Sequence, residues 1–189
     1  MKSLNNWLLV LSVLSCFGCS SPVHEDDRGC AFVSDSIQYR VEFMSAGCVR
    51  ILSFPEGDTL VTRRLVVDSE KPAFKDYKWE DTGQKLLFRT RELSVVFDKA
   101  DVAFTFQETS TGKLLLKEKG DRKARNFKRS VAGGEQCLEV TQRFVPTEDE
   151  AIYGLGQYQN GIMNYRGKSV LLLQANMDIV NPFLISTNG

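Results

Sequence analysis

The chain has 189 residues, 24 basic and 24 acidic side chains and a formal net charge of zero, enough length for one buried core. Its charges are interspersed, so the electrostatic footprint of a nucleic-acid or acidic-surface binder is absent. The single histidine, His24, lies in a polar stretch near the amino terminus. This excludes Ser-His-Asp and Cys-His relays in a folded domain, and zinc sites with several imidazoles; carboxylates, tyrosine or lysine would have to carry any chemistry. No cofactor and no metal ion are expected.

The amino terminus reads as an address. A basic start at Lys2 precedes an apolar run from Trp7 to Leu14, too short to span a bilayer and of the length of a signal-peptide core. The run ends in Ser15, Cys16, Phe17, Gly18 and Cys19, which resembles the lipobox of bacterial lipoproteins. Gly18 supplies the small residue before Cys19, whereas Val13 and Leu14 better place the upstream apolar position for Cys16, so both cysteines stand as lipidation sites. A redox or metal Cys-x-x-Cys pair would sit beside a strand and helix of a folded domain, a context missing here. The segmentation expected is a signal peptide over residues 1–18, a polar tether over 19–30 and a β-domain over 31–189. The acidic run Glu25, Asp26, Asp27 resembles the surface-export signal of some Bacteroidetes lipoproteins, or is a solvated linker. Together these features predict an outer-membrane lipoprotein, facing the periplasm or the cell surface. Cys30, Cys48 and Cys137 remain for the domain, an odd number that leaves at least one thiol free.

Beyond Cys30 the pattern is one of short strands punctuated by turns. Residues 37–43 alternate apolar and polar, and Ala46-Gly47 leads into residues 48–54, a hairpin. Residues 93–97 and 102–106 flank Asp98 to Asp101 as a second hairpin, and Thr111-Gly112 turns the chain into residues 114–117. Residues 137–145 alternate again until Pro146 stops them. The stretch from Lys117 to Arg129 is basic, interrupted by acids, and reads as a solvated loop or edge strand. Residues 170–173 and 183–186 read as further strands, and Asn188-Gly189 as a type I′ turn awaiting a partner strand; the sandwich is therefore expected to be incomplete at the carboxyl terminus. The fold class predicted is all-β, an antiparallel β-sandwich.

The segment from Glu150 onward carries Tyr153, Gly154, Leu155, Gly156, Gln157, Tyr158, Gln159, Asn160 and Gly161, then Asn164, Tyr165 and Arg166, then Gln174, Ala175, Asn176, and finally Asn181, Pro182, Phe183. Gly154 and Gly156 mark a strand that bends or lets another backbone approach. They do not open a helix, which a dinucleotide loop would require. The amide and aromatic groups between Gln157 and Tyr165 form either a surface suited to sugar hydroxyls and ring faces or an ordinary polar loop.

This segment closely resembles the end of the amino-terminal, galactose mutarotase-like β-sandwich (supersandwich) of glycoside hydrolase family 31, nearest to bacterial α-xylosidases acting on xyloglucan fragments. The resemblance runs from about Ser36 to Gly189 and is specific in its last third. It implies a domain that packs on a catalytic (β/α)₈ barrel and edges its active site with one loop. In many members an aspartate at the position of Asn176 helps hold the sugar nearest the scissile bond. Asn176 is therefore the expected substrate-binding residue here, with Asp178 as the neighbouring carboxylate. Retention in the family uses two aspartates, about 5 to 5.5 Å apart, both from the barrel. No catalytic residue is expected in this chain, and Glu148, Asp149 and Glu150 read as a charged approach to a strand. An α-glucosidase of the same family and a free-standing carbohydrate-binding lipoprotein are the alternatives.

The anchor reading has a direct test. Replacing both Cys16 and Cys19 by alanine is expected to move the protein out of the membrane fraction; unchanged fractionation would overturn it.

Overall fold

The computed structural model describes residues 22–58, 73–120 and 126–189, and among them all regular structure is β-strand. A 4-stranded antiparallel sheet is formed in chain order by β1 (His24–Glu25), β2 (Cys30–Ser34), β3 (Ile37–Ser45) and β4 (Cys48–Pro55). A 5-stranded sheet follows, with β5 (Lys78–Asp81), β6 (Lys85–Arg89), β7 (Leu93–Asp98), β8 (Ala103–Glu108) and β9 (Leu114–Lys117) also in chain order. Sequential antiparallel neighbours need only short turns. The β2–β3 turn is Asp35-Ser36, with φ of 52° and 59°, the two positive values that match a hairpin's twist.

Period-two alternation places one face of each sheet inward. Phe32, Tyr39, Val41 and Phe43 of the first sheet meet Leu86, Phe88, Val95, Phe97 and Phe104 of the second, all buried. Their rings interlock across the two layers. Phe97 lies 4.8 Å from Phe32 and 5.1 Å from Tyr39, centroid to centroid, and Phe104 lies 5.8 Å from Tyr39 at 64°. Tilted and edge-on contacts of this kind add roughly 0.5–1.5 kcal/mol each beyond the area they bury.

Part of the segment read as a tether pairs and bonds with this sandwich. β1 pairs with β2, and Glu25 accepts hydrogen bonds from Tyr77 Oη and from Trp79 Nε1 of β5, each at 2.9 Å. Asp26 takes a bidentate contact from Arg40 at 2.8 and 2.7 Å, and that guanidinium holds its carboxyl far below the usual carboxylate range. The acidic run thus bonds to both sheets through fixed partners.

Past β9 the chain changes character. Residues 143–145 extend the second sheet by pairing with residues 117–119, the Lys119 N–H reaching Arg143 O at 3.0 Å and the Val145 N–H reaching Lys117 O at 2.8 Å. Between these pieces β10 (Asn126–Ala132) and β11 (Glu135–Thr141) form a separate hairpin turned at Gly133-Gly134. The basic stretch therefore enters a strand at residue 126; residues 121–125 lie outside the described part. A last hairpin pairs β12 (Ile152–Gln157) with β13 (Ile179–Ser186). One expectation fails here. Residues 170–173 form no strand, because no neighbouring strand among the described residues pairs with them. Thr187 and Asn188 lie at the centre of a turn over Ser186 to Gly189, closed by the Gly189 N–H on Ser186 O at 3.3 Å, and the Ser186 hydroxyl accepts the Asn188 N–H at 3.0 Å.

The core assignment is checked by two truncations. Phe97→Ala is expected to cost about 3–5 kcal/mol in urea unfolding, while Phe183→Ala on the exposed last hairpin stays within about 0.5 kcal/mol.

Candidate functional site

The β12–β13 hairpin carries the segment that the sequence singles out, and its geometry begins with two glycines. Gly154, Leu155 and Gly156 have φ of 103°, 67° and 116°. A Cβ at Gly154 would lie 2.5 Å from Phe183 O, and one at Gly156 would lie 2.0 Å from Ile179 O, so neither position admits a side chain. Gly154 pairs with Leu184 and Gly156 with Val180; β13 therefore places three residues between paired positions that only Leu155 separates on β12. The excess bends the hairpin. Pro182 falls within it, where no ladder hydrogen bond calls for the missing N–H.

The root of the hairpin is tied by a polar knot. Glu150 is buried, 6% exposed; its carboxylate accepts the Thr147 N–H at 2.8 Å and the Ser186 hydroxyl. Arg166 donates one Nη to both Thr147 O and Glu150 O, and Asn188 Nδ2 donates to Thr147 Oγ1 at 2.7 Å. The Ser186 hydrogen bond is the main cause that holds the Glu150 carboxyl below its ordinary value. A group so engaged keeps its charge and is unsuited to general-acid work. Glu148 and Asp149 are exposed.

Residues 158–174 run between the two strands. Tyr165 is buried, its ring 6.4 Å from Tyr158 and edge-on to it. Tyr158 Oη donates to Leu155 O at 2.9 Å. Asn164 Oδ1 accepts the N–H groups of Ile152 and Arg166, and Asn160 Oδ1 that of Ile162. Most of the amide and aromatic groups read as a sugar-contacting surface are thus engaged in holding their own loop, which favours the polar-loop reading for Tyr158, Asn160, Asn164 and Tyr165. Gln157 and Gln159 remain exposed.

Asn176 and Met177 are the central residues of an exposed turn closed by the Asp178 N–H on Ala175 O at 3.3 Å. Met177 has φ of 72°, an unfavourable conformation for a residue with a Cβ. Asp178 is half-buried. Burial first, then the Tyr165 and Asp178 groups, raise the Tyr158 hydroxyl above its ordinary value. The structure brings both predicted binding residues together on one turn. Glu150 and Arg166, which tie the hairpin root, and Gln174, which bonds the Val180 N–H, were not legible in these roles, since hydropathy alternation does not show which hydroxyl, carbonyl or N–H a polar side chain will meet. Cys16 and Cys19 lie outside the described residues. Cys30, Cys48 and Cys137 are free, Cys30 buried and the others exposed. Among the described residues no group of three His, Cys, Asp or Glu side chains is placed to hold a metal.

The knot makes a pH prediction. A carboxyl held low in the folded state stabilises above its ordinary value, about 4.5 for glutamate, and the contribution fades as pH falls through the lowered value. Glu150→Gln is expected to cost roughly 1 kcal/mol at neutral pH and to flatten the decline of stability in acid, read by urea unfolding from about pH 7 to 3.

The comparisons with known proteins agree with this architecture. The profile described as the glycosyl hydrolase 31 N-terminal galactose mutarotase-like domain matches residues 38–186. An α-xylosidase of Saccharolobus solfataricus is 31% identical over 169 residues, covering 82% of this chain and 21% of that protein. Among solved structures, the α-xylosidase of this family from Xanthomonas citri superposes with a TM-score of 0.72 at 28% identity, covering 88% of this chain and 18% of its own. A soil-metagenome α-xylosidase of the family, solved with xylose, has the same fold, with a TM-score of 0.67 at 24% identity over 89% of this chain and 27% of its own. The chain thus spans about a fifth to a quarter of the length of these relatives. On fold, matched span and identity together, it belongs to the glycoside hydrolase family 31 N-terminal, galactose mutarotase-like domain family.

Proposed function

We propose that the chain is the non-catalytic amino-terminal sandwich of a retaining α-glycosidase, an α-xylosidase acting on xyloglucan-type oligosaccharides, held at the outer membrane by a lipid on Cys19 or Cys16. The observation that carries the proposal is the last hairpin, which is apolar on both faces and exposed on both. Phe183 (60%), Leu184 (48%) and Ile185 (52%) are consecutive, so they project alternately to opposite sides. A lone two-stranded ribbon is marginal in water, and apolar surface of this extent marks an interface. A catalytic module seated on it would bury the ribbon between two layers and bring the Asn176 turn to the rim of its active site.

The chemistry divides accordingly. The module supplies the nucleophile and the acid-base carboxylate of the double displacement. This chain supplies the buttress and the turn, on which the Asn176 amide both donates to and accepts from a sugar hydroxyl. Lipidation at one cysteine with two or more acyl chains gives stable attachment where one chain does not.

The test compares two proteins on p-nitrophenyl α-xyloside and the matching α-glucoside. The isolated chain is expected to release no p-nitrophenol. A longer product of the same reading frame should cleave the xyloside in preference, with retained configuration by NMR of the first-formed sugar. Turnover by the isolated chain would overturn the division of labour, and preference for the glucoside would overturn the substrate.

A further inference from the structure

The turn bearing Asn176 has little to hold it in place. Leu171, Leu173 and Met177 around it are all more than half exposed, so apolar packing does not fix the loop. Its backbone bonds are local: Leu173 N–H to Leu171 O, and Asp178 N–H to Ala175 O. One contact reaches outward. Gln174 Oε1 accepts the Val180 N–H at 3.0 Å, the only side-chain hydrogen bond among the described residues that joins this loop to β13. Val180 sits opposite Gly156 at the edge of the bulge, on backbone that the glycine's close approach to Ile179 O fixes in place.

We infer that Gln174 is the positioning residue of the Asn176 turn: by accepting the Val180 N–H it fixes the turn to the bulged strand and so sets where the Asn176 amide meets a sugar hydroxyl. This rests on the proposed function, in which Asn176 contacts substrate. Gln174 itself touches no sugar. What it contributes is an acceptor oxygen, so a glutamate in its place keeps the bond and an alanine loses it.

The experiment uses the full-length glycosidase with p-nitrophenyl α-xyloside as probe, measuring KM and kcat separately together with the thermal midpoint. Gln174→Ala is expected to raise KM about fivefold, the weight of one neutral hydrogen bond, with kcat within about twofold of the parent and the thermal midpoint unchanged. Gln174→Glu should return KM to within about twofold of the parent. Because Gln174 acts through Asn176, the double variant with Asn176→Ala should be no worse than Asn176→Ala alone. If Asn176→Ala raises KM while Gln174→Ala does not, if their effects simply add, or if Gln174→Glu fails to restore KM, the positioning role is overturned and the proposed function stands. If Asn176→Ala leaves KM unchanged, the substrate contact itself is wrong and this inference falls with it.

Discussion

Phe97 is the ring on which the two sheets close. It touches Phe32 and Tyr39 of the facing sheet and Phe104 of its own, at centroid separations between 4.8 and 5.1 Å, and it is fully buried. Every inward-facing strand contributes to this cluster at period two, so a one-residue slip of β3 or β7 would turn its aromatic side chains into water. That penalty fixes register in the first half of the domain. The bonds from Glu25 and Asp26 to Trp79, Tyr77 and Arg40 then fasten the leading segment to a scaffold whose geometry the rings have set.

The second half follows a different rule. β12 and β13 have no facing layer among the described residues, and polar chemistry sets their register in its place. The Glu150 carboxylate joins Thr147 to Ser186, Arg166 joins two carbonyls, and glycines at 154 and 156 permit the approach of β13 that side chains would block. Such a hairpin keeps its shape through hydrogen bonds at its root and leaves its apolar residues for another surface. This is the arrangement suited to an interface that also positions a loop: the bulge bends the ribbon, and the Asn176 turn leads into the bent strand β13.

Strand alternation made much of the sandwich readable in advance. The hairpins β3–β4 and β7–β8 and the strand β9 fall where residues 37–54, 93–106 and 114–117 placed them, because each has a half-buried face and a recognisable turn. β2 escaped notice since its turn, Asp35-Ser36, lacks glycine and asparagine yet adopts two positive φ values. Residues 170–173 show the opposite error. Val170 and three leucines have the composition of a buried strand, but composition does not supply a ladder partner, and these residues run as irregular chain with Leu171 largely exposed.

Legible in the order of residues alone were the all-β class, the strands with one apolar face, the family resemblance in the last third and the presence of a single histidine. Those properties are local or compositional. The folded chain was needed to see that Glu25 and Asp26 bond to the sandwich, that Glu150 and Arg166 knot the hairpin root, and that Gln174 reaches Val180. Each depends on a side chain meeting groups on other segments, and side-chain periodicity does not encode which acceptor a distant N–H will find once the chain has folded.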